Sequence, residues 1–499
     1  MDILTNVAYG LSVALSPVNL FYGFLGTVFG TIIGVLPGLG PVATISILLP
    51  LTFPLPPESA MIMLAGIYFG AQYGGSTTAI LVNLPGESSS VVTAIDGYQL
   101  ARQGRAGPAL ATAACASFFA GTIATFVIAL AAPPLAEIAL KFGPADYCSL
   151  MIFGLVTAVI LAHGSVLKAI GMILVGMFLG TVGIDVNTSV PRYTFGIPQF
   201  GDGIDFAVIA MGIFGIGETI NNLTRPPEQR GYVRDFKGLM PTPADFRQML
   251  PAALRGTGLG AALGILPGGG PVLAAFSAYS LEKKISKTPE RFGKGAIEGV
   301  AAPEAANNAA AQTSFIPLLT LGFPSSAVMA LMIGALMMQG IHPGPQLVNE
   351  KPALFWGLIA SMWVGNLLLL ILNLPLVGIW ARLLTVPYRL LYPAILLICC
   401  IGVYSINKST LDVLIASVFG LVGFLLYRLQ CEPAPLLLGF ILGPMIEENM
   451  RRALLISKGD FSVFVTRPIS LSFLIMTVVL IGILAAPLVR STRERALQN

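Results

Sequence analysis

The stretch GTVFGTIIGVLPGLGPV, residues 26–42, lies in a long apolar run that two prolines and two glycines interrupt. Such an interruption is unexpected in a regular membrane helix, because proline lacks a backbone donor and glycine favours other backbone conformations. The stretch GTGLGAALGILPGGGPV, residues 256–272, has the same pattern. Aligned at a shift of 230, the two stretches agree at ten of seventeen positions, the Pro-Gly interruption included. This indicates an internal repeat.

The composition indicates an integral membrane protein. Apolar residues make up 55% of the 499 and charged residues only 10%, with a mean hydropathy of +0.82. The expected surroundings are therefore a lipid bilayer. The net charge of +4 is scattered and no basic block contains aromatic residues, so nucleic acid is not an expected partner. The five cysteines lie in apolar stretches without CxxC spacing and are predicted to be small core residues.

Segments of about 20 apolar residues, enough to cross a bilayer, are predicted along most of the chain. These spans are 108–131, 144–162, 166–184, 204–221, 353–373, 389–406, 411–429 and 469–490, with a shorter segment at 433–447. Two apolar regions, 17–54 and 251–281, contain the Pro-Gly interruptions. Two others, 59–97 and 298–340, carry many polar residues and are predicted to be broken helices.

The placement of Lys and Arg predicts the orientation of these segments, since cytoplasmic loops are rich in both. The polar connection 222–255 carries six Arg or Lys residues, and the loop 282–294 carries five more. Both ends of 251–281 are therefore expected in the cytoplasm, which makes this region a re-entrant hairpin. The loop 52–59 has no basic residue, so hairpin 17–54 is expected to enter from the periplasm.

The predicted fold is an all-α polytopic membrane protein with two inverted-topology repeats, each containing a re-entrant hairpin and a broken helix. Such repeats are typical of secondary transporters. The first repeat is predicted at 1–221, with helices over 108–221 after the broken helix. A cytoplasmic linker follows at 222–255, then the second repeat at 256–430 and C-terminal membrane helices at 431–499, whose topology the charges leave open.

The two hairpin tips are predicted to hold ligands. Proline frees a carbonyl oxygen that can face a cation, and a helix that begins after the tip presents N–H groups to an anion. The tips are expected to meet near the membrane midplane and form one site. Their residues are Pro37, Gly38, Gly40, Pro41, Pro267, Gly268, Gly269, Gly270 and Pro271. The glycines that precede the tips at four-residue spacing are instead expected to pack against a neighbouring helix.

Polar side chains in the two broken helices are the second group of candidates, because ionisable and amide groups in apolar surroundings are typical of binding sites. The alternatives are contact with loop water, ordinary hydrogen bonds between helices and, for Glu87, a place at a helix start. The candidates are Ser76, Thr77, Thr78, Asn83, Pro85, Gly86, Glu87, Glu304, Asn307, Asn308, Gln312, Pro324, Ser325 and Ser326.

The chain resembles the large membrane subunit of the tripartite tricarboxylate transporters. The resemblance rests on GVLPGLGPVATISILLPLTF, YGGSTTAILVNLPGE, GILPGGGPV, APEAANNAAAQTSFIPLLTLGFPSSAVMALMIGA and GIHPGPQL, and covers nearly the whole chain. It implies a multi-pass protein of the bacterial inner membrane that imports organic acids in symport with a cation. It also implies two protein partners, a small membrane subunit and a periplasmic solute-binding protein. Similarity to other transporters with paired hairpins implies an elevator movement.

The energetics of anion uptake favour cation coupling independently. With the inside negative, each negative charge carried inward costs about 2.3 kcal/mol per 100 mV, so a dianion needs at least two cations. Carbonyl and hydroxyl oxygens at the tips and broken helices suit Na⁺, whereas Glu87 or Glu304 would carry H⁺ as the alternative. No cofactor is expected. A passive carboxylate channel and an intramembrane enzyme using Glu304 are the competing functions, although no nucleophile–base pair is recognisable in the sequence.

Overall fold

The protein is described by a computed structural model, which covers residues 3–36, 38–161, 165–185, 188–224, 238–266, 268, 270–384 and 388–485. Within these ranges nearly every element is a helix, in agreement with the predicted all-α fold, and the exception is one pair of two-residue strands. The predicted linker residues 225–237 and the tip residues Pro37, Pro267 and Gly269 lie outside the described residues.

The elements before residue 225 follow the predicted segments closely. They are α1 (Ile3–Ala14), α2 (Pro17–Val35), α3 (Pro41–Thr52), α4 (Pro57–Val82), a 3₁₀ turn (Ser88–Ser90), α5 (Val91–Leu100), a π-helical turn (Ala101–Arg105), α6 (Ala106–Ala139), α7 (Pro144–Leu161), α8 (Val166–Gly180), β1 (Gly183–Ile184), β2 (Pro191–Arg192), a 3₁₀ turn (Pro198–Asp202), α9 (Phe206–Ala210), a π-helical turn (Met211–Gly217) and α10 (Glu218–Leu223). The two strands pair antiparallel.

The elements after residue 237 begin close to the predicted segments, except for α11, which begins eight residues earlier, at Pro243 instead of residue 251. They are α11 (Pro243–Ile265), α12 (Gly270–Ile285), a 3₁₀ turn (Pro289–Arg291), α13 (Glu298–Thr313), α14 (Phe315–Leu321), α15 (Ala327–Met338), α16 (Leu347–Glu350), α17 (Pro352–Asn373), α18 (Val377–Leu383), α19 (Tyr388–Asn407), α20 (Thr410–Arg428), α21 (Ala434–Ile456), α22 (Val463–Thr466) and α23 (Pro468–Ala485).

Two predicted boundaries are wrong. Residues 243–255, predicted as part of the linker, form the first turns of α11, because Thr242 and Asp245 build a capping box and Pro243 occupies the first helical position. The segment 433–447, predicted as short, belongs to α21, which continues to Ile456.

In the part of the chain that the structure describes, five helices are long and apolar enough to cross a membrane. They are Pro17–Val35, Ser88–Ala139 (which includes α5 and α6), Phe206–Leu223, Pro352–Asn373 and Thr410–Arg428. The predicted spans 144–162, 166–184, 389–406 and 469–490 coincide with α7, α8, α19 and α23, whose described apolar parts are shorter. The chain is therefore a multi-pass membrane protein.

The region 17–54 has the geometry of a hairpin. Helices α2 and α4 run parallel, because Gly26, Gly30 and Gly34 contact Met63, Ile67 and Ala71 in increasing order. Ser59 at the start of α4 donates a 2.6 Å hydrogen bond to the side chain of Asn19 at the start of α2. The chain thus returns to the level at which it entered, and α3 is the returning arm.

The region 251–281 repeats this arrangement. Gly256, Gly260 and Gly264 of α11 contact Ala302, Ala306 and Ala310 of α13, again in parallel order. The contact partners in α4 and α13 are related by a shift of 239 residues, the same shift that aligns Pro85 with Pro324.

The expected packing role of the glycines is confirmed. A methyl group built at Gly30 would lie 2.3 Å from the carbonyl oxygen of Ile67, and one built at Gly260 would lie 2.2 Å from that of Ala306. Only hydrogen fits at these positions, so the glycines allow the paired helices to approach backbone to backbone.

Helices α4 and α13, which occupy equivalent places in the two halves, run antiparallel where they meet. Ser76 contacts Glu304, Gln72 contacts Asn307 and the Phe69 ring lies 6.0 Å from that of Phe315. Residue numbers fall along one helix as they rise along the other. The two halves therefore approach each other with opposite chain directions.

Candidate functional site

Each hairpin tip contacts the broken helix of its own half. Thr78 donates a 2.6 Å hydrogen bond to the carbonyl oxygen of Val35, the last residue of α2. In the second half, Ser314 donates to the carbonyl oxygen of Gly264 at 3.2 Å, and the Gly268 amide donates to the carbonyl oxygen of Ser325 at 2.8 Å. These bonds pair carbonyl groups that the helix ends leave without an internal partner.

At the first tip, Gly38 has a φ of +86°, a conformation that favours glycine. Its carbonyl oxygen accepts a 2.8 Å bond from the side chain of Asn222 in α10. Gly40 precedes α3 in an extended conformation, and Pro41 is its buried first residue. The tip is thus held by α4 and α10.

At the second tip, Gly268 and Gly270 have φ values of +70° and +44°. A methyl group built at Gly270 would meet no atom within 4 Å, so the conformation and not the available space favours glycine there. Pro271 is buried in the first turn of α12. Among the described residues no hydrogen bond joins the two tips, and their meeting stays a prediction.

The two breaks follow α4 and α14. Asn83 ends α4 in a left-handed conformation with its side chain exposed, and Pro85 follows it half-buried. Gly86 packs against Gly34 and Gly75, and Glu87 precedes the 3₁₀ turn as its N-cap, the place at a helix start that the sequence left open as an alternative to a binding role.

In the second break, Pro324 is buried and Ser326 is the N-cap of α15. The hydroxyl group of the buried Ser325 has no hydrogen-bond partner. Ser326 corresponds to Glu87 under the shift of 239. Equivalent positions in the two halves thus hold an acidic N-cap, Glu87, and a neutral N-cap, Ser326.

Glu304 is the centre of the buried polar cluster. Its side chain is 1% exposed and lies against hydroxyl groups from three other helices. Ser76 of α4 donates to Oε1 and Oε2 at 2.7 and 2.8 Å, Thr93 of α5 donates to Oε1 at 2.5 Å, and Ser117 of α6 donates to Oε2 at 3.3 Å. The two halves of the chain build this site together.

Glu87 forms a second buried carboxylate site. It contacts Gln72, which lies in α4 one helical turn before Ser76, the partner of Glu304. Asn307 donates to Glu87 Oε1 at 3.0 Å, and Ser89 also donates to it. With its amide oriented to satisfy both neighbours, Gln72 donates to the Glu87 carboxylate and to Asn307 Oδ1. All of these donors are uncharged.

Amide side chains extend the cluster along α13. Asn308 donates to Ser117 at 2.7 Å and to the Glu304 carbonyl at 3.0 Å. One turn further, Gln312 accepts from Thr125 at 2.6 Å and donates to Asn366 of α17 at 3.0 Å. Glu304 and Asn308 thus share Ser117 as a partner, whereas Asn307 contacts Glu87.

Not every candidate side chain belongs to this cluster. Thr77 and Thr78 donate to backbone carbonyls, Asn83 is exposed, and the tip residues lie in the two hairpins. The sequence analysis missed Thr93, Ser117, Thr125 and Asn366, which complete the cluster. Ser117, Thr125 and Asn366 lie in long apolar helices in which no local pattern distinguishes them, and Thr93 is one of several polar residues in the predicted broken helix 59–97.

Asp96 of α5 was also missed, although it connects the two halves. Its Oδ1 accepts three backbone N–H groups, from Gly293, Gly295 and Ala296, at 2.8–2.9 Å. Its Oδ2 accepts from the hydroxyl group of Tyr279 at 2.9 Å. The basic loop after the second hairpin is thereby fixed to the first half.

The cluster offers carboxylate, amide and hydroxyl oxygens to a ligand. Among the described residues no group of three His, Cys, Asp or Glu side chains is placed to hold a metal ion. Oxygen ligands of this kind suit hard cations. The arrangement can therefore bind a small cation, or exchange a proton at either carboxylate.

Comparison with known proteins gives one family and two relatives. The family model described as "Tripartite tricarboxylate transporter TctA family" matches residues 20–438. The chain is 58% identical over 495 residues, 99% of each chain, to the "Uncharacterized 52.8 kDa protein in TAR-I ttuC' 3'region" of Agrobacterium vitis. It is 60% identical over 236 residues, 47% of this chain and 98% of the relative, to the "Uncharacterized protein in TAR-II ttuC' 3'region" of the same organism. No solved structure matches.

Proposed function

The chain belongs to the tripartite tricarboxylate transporter TctA family, as its motifs predicted, and from that premise we propose that it imports di- or tricarboxylates by cation symport. It acts as the large membrane subunit beside a small membrane subunit, in the bacterial inner membrane. A periplasmic solute-binding protein delivers the substrate. The observation that carries the proposal is the buried site that both halves build around Glu304 and Glu87, which no Lys or Arg of the described chain neutralises.

Alternating access follows from the architecture. Helix α2 packs against α4 in the same way as α11 packs against α13, and α4 and α13 run antiparallel where they meet. Both observations support two repeats of inverted topology. Lys283, Lys284 and Lys287 support a cytoplasmic position for the loop after α12, and the lack of basic residues in the loop after α3 supports a periplasmic one. Each tip then enters the membrane from its own side, and an elevator movement exposes the site alternately.

The substrate carboxylates bind near the tips and breaks. The first turns of α3 and α12 begin there and present backbone N–H groups to an anion. Ser325 supplies a buried hydroxyl group with no protein partner. Arginine is not needed to hold the substrate, since backbone and hydroxyl donors bind carboxylates and co-bound cations neutralise them.

Coupling to cations follows from the two buried carboxylates. A carboxylate removed from water requires a positive partner or a proton. Inward movement of a substrate anion is opposed by the membrane potential, and cations bound at Glu304 and Glu87 offset that cost. Na⁺ is the proposed coupling ion, and H⁺ is the alternative that the experiment distinguishes.

The test is uptake of labelled citrate and other di- and tricarboxylates by liposomes that contain both membrane subunits, with the binding protein added outside. We expect uptake that requires the binding protein and rises with an inward Na⁺ gradient. Asn307→Ala removes a donor to Glu87 and is expected to lower uptake at least about tenfold, while Glu137→Gln, an exposed change on α6, is expected to have no effect.

Three outcomes would contradict the proposal. Uptake that is equal with and without imposed Na⁺ and H⁺ gradients would exclude coupling. Electrical current carried by the carboxylate alone would indicate a passive channel. Absence of uptake for every acid that the binding protein binds would remove the transport function itself.

A further inference from the structure

The environment of Glu304 is more specific than a general polar cluster. Three hydroxyl oxygens from α4, α5 and α6 lie 2.5–3.3 Å from its carboxylate oxygens. Ser76, Thr93 and Ser117 are each at most 3% exposed. Five oxygen atoms from four helices are therefore joined in one buried hydrogen-bond cluster.

The charge of this site is not balanced by the described chain. Every described ion pair lies elsewhere, and none includes Glu304. Its described hydrogen-bond donors are neutral hydroxyl groups. A buried carboxylate without a charged partner is unfavourable, so the site favours one additional positive charge.

A pocket opens beside Glu304 and contains two polar atoms without partners. It is small, and the residues that line it include Tyr73, Ser76, Ser117, Glu304 and Asn373. The Tyr73 hydroxyl group and Asn373 Oδ1 are buried and form no hydrogen bond with any residue that the structure describes. Their residues are 4% and 7% exposed. Unpaired polar atoms at this depth indicate that a ligand or its water enters here.

The geometry points to a Na⁺ site. We propose that the Glu304 carboxylate, with the hydroxyl oxygens of Ser76, Thr93 and Ser117, binds one Na⁺ that arrives through the pocket of Tyr73 and Asn373. Hydroxyl groups rotate and present lone pairs to a cation, so the donors of the empty site become ligands. All five atoms are hard oxygen ligands, and one monovalent ion neutralises the single carboxylate.

The inference rests on the proposed transport function and explains how coupling is enforced there. Without the ion, Glu304 is a negative charge inside the protein, which disfavours the binding of a substrate carboxylate near the tips and breaks. A bound Na⁺ removes this repulsion. Na⁺ therefore binds first and strengthens substrate binding, and by linkage the substrate strengthens Na⁺ binding equally.

The direct test measures binding of radioactive ²²Na⁺ to the purified full-length chain in detergent, without substrate, with choline as the replacement cation. We expect saturable binding to the wild type that Glu304→Gln abolishes, because the amide removes the charge and keeps the shape. The matched control is Glu137→Gln, which removes an exposed carboxylate and is expected to bind as the wild type does.

A second pair of variants tests a ligand without changing charge. Thr93→Val keeps the shape of the side chain but loses its oxygen, and is expected to weaken Na⁺ binding about tenfold. Thr93→Ser keeps the oxygen and is expected to bind within about twofold of the wild type. This pair remains informative if Glu304→Gln does not fold. Equal Na⁺ affinity in both variants would overturn the assignment of Thr93, and unchanged binding in Glu304→Gln would overturn the site.

Failure of this inference is distinguishable from failure of the proposed function. Liposome uptake that stays Na⁺-dependent in Glu304→Gln would be consistent with the proposed transport function but would exclude Glu304 as the Na⁺ ligand. Uptake driven by a pH gradient, with no saturable ²²Na⁺ binding, would replace Na⁺ by a proton. Saturable ²²Na⁺ binding that needs Glu304, in a chain that transports no carboxylate, would support the Na⁺ site and contradict the proposed transport function.

Discussion

Asp96 shows how one buried side chain joins the two halves. Its carboxylate accepts three backbone N–H groups of the loop that follows the second hairpin, and also the hydroxyl group of Tyr279. The side chain is fully buried. Because the loop 293–296 depends on these bonds for its conformation, Asp96 indirectly positions the start of α13, which carries Glu304.

Replacement of Asp96 by alanine is expected to lower stability by about 2–4 kcal/mol, because several buried donors lose their acceptor. Tyr279→Phe removes only one of the four bonds and is expected to cost about 1 kcal/mol. The apparent midpoint of thermal unfolding in detergent measures both. A midpoint of Asp96→Ala equal to or above that of Tyr279→Phe would show that the anchor has no structural role.

The acidic and amide members of the cluster were predictable from the sequence, but their hydroxyl partners were not. Glu304, Asn307 and Asn308 are conspicuous because three polar residues share one turn of an apolar helix. Ser117 lies in a predicted membrane span and Thr93 near the end of the predicted broken helix 59–97, and hydroxyl groups in helices usually bond their own backbone. Only the packing of α5 and α6 against α13 directs them to Glu304.

The paired helices depend on glycine at every fourth residue. In α11 the buried Gly260 faces the backbone of α13, whereas Gly258 of the same helix is exposed, and a methyl group added there would meet no atom within 4 Å. Both glycines lie in α11, but only Gly260 contacts a neighbouring helix. The two positions are therefore a matched pair for substitution. The repeated Gly-x-x-x-Gly spacing was therefore sufficient to predict a packing face, though not its partner helix.

Gly260→Ala is expected to destabilise the protein by about 1–3 kcal/mol, because the added methyl group must displace the carbonyl of Ala306. Gly258→Ala is expected to leave stability unchanged or to raise it by up to about 1 kcal/mol, since alanine favours the helix. Thermal unfolding of the two purified variants compares them directly. Equal midpoints would show that α11 and α13 do not approach as closely as described.

The inverted arrangement of the whole molecule stays a prediction, and some helix boundaries differ from those predicted. The repeated Pro-Gly stretches and the loop charges predicted two hairpin units, and the contacts of α2 with α4 and of α11 with α13 have that form. The start of α11 was predicted too late, because charged residues within 243–255 favour a loop when only the sequence is considered. Charged residues are compatible with a helix that begins outside the membrane, as the capping box at Thr242 shows.

The central claim is that two halves of opposite orientation build one buried site, and the loops after α3 and α12 provide its most direct test. Phe53→Cys and Ile285→Cys are both exposed positions, introduced singly after replacement of the five native cysteines. A membrane-impermeant thiol reagent applied to intact cells is expected to label Phe53→Cys, and to label Ile285→Cys only after permeabilisation. Labelling of both positions from the same side would contradict inverted topology and the site built on it.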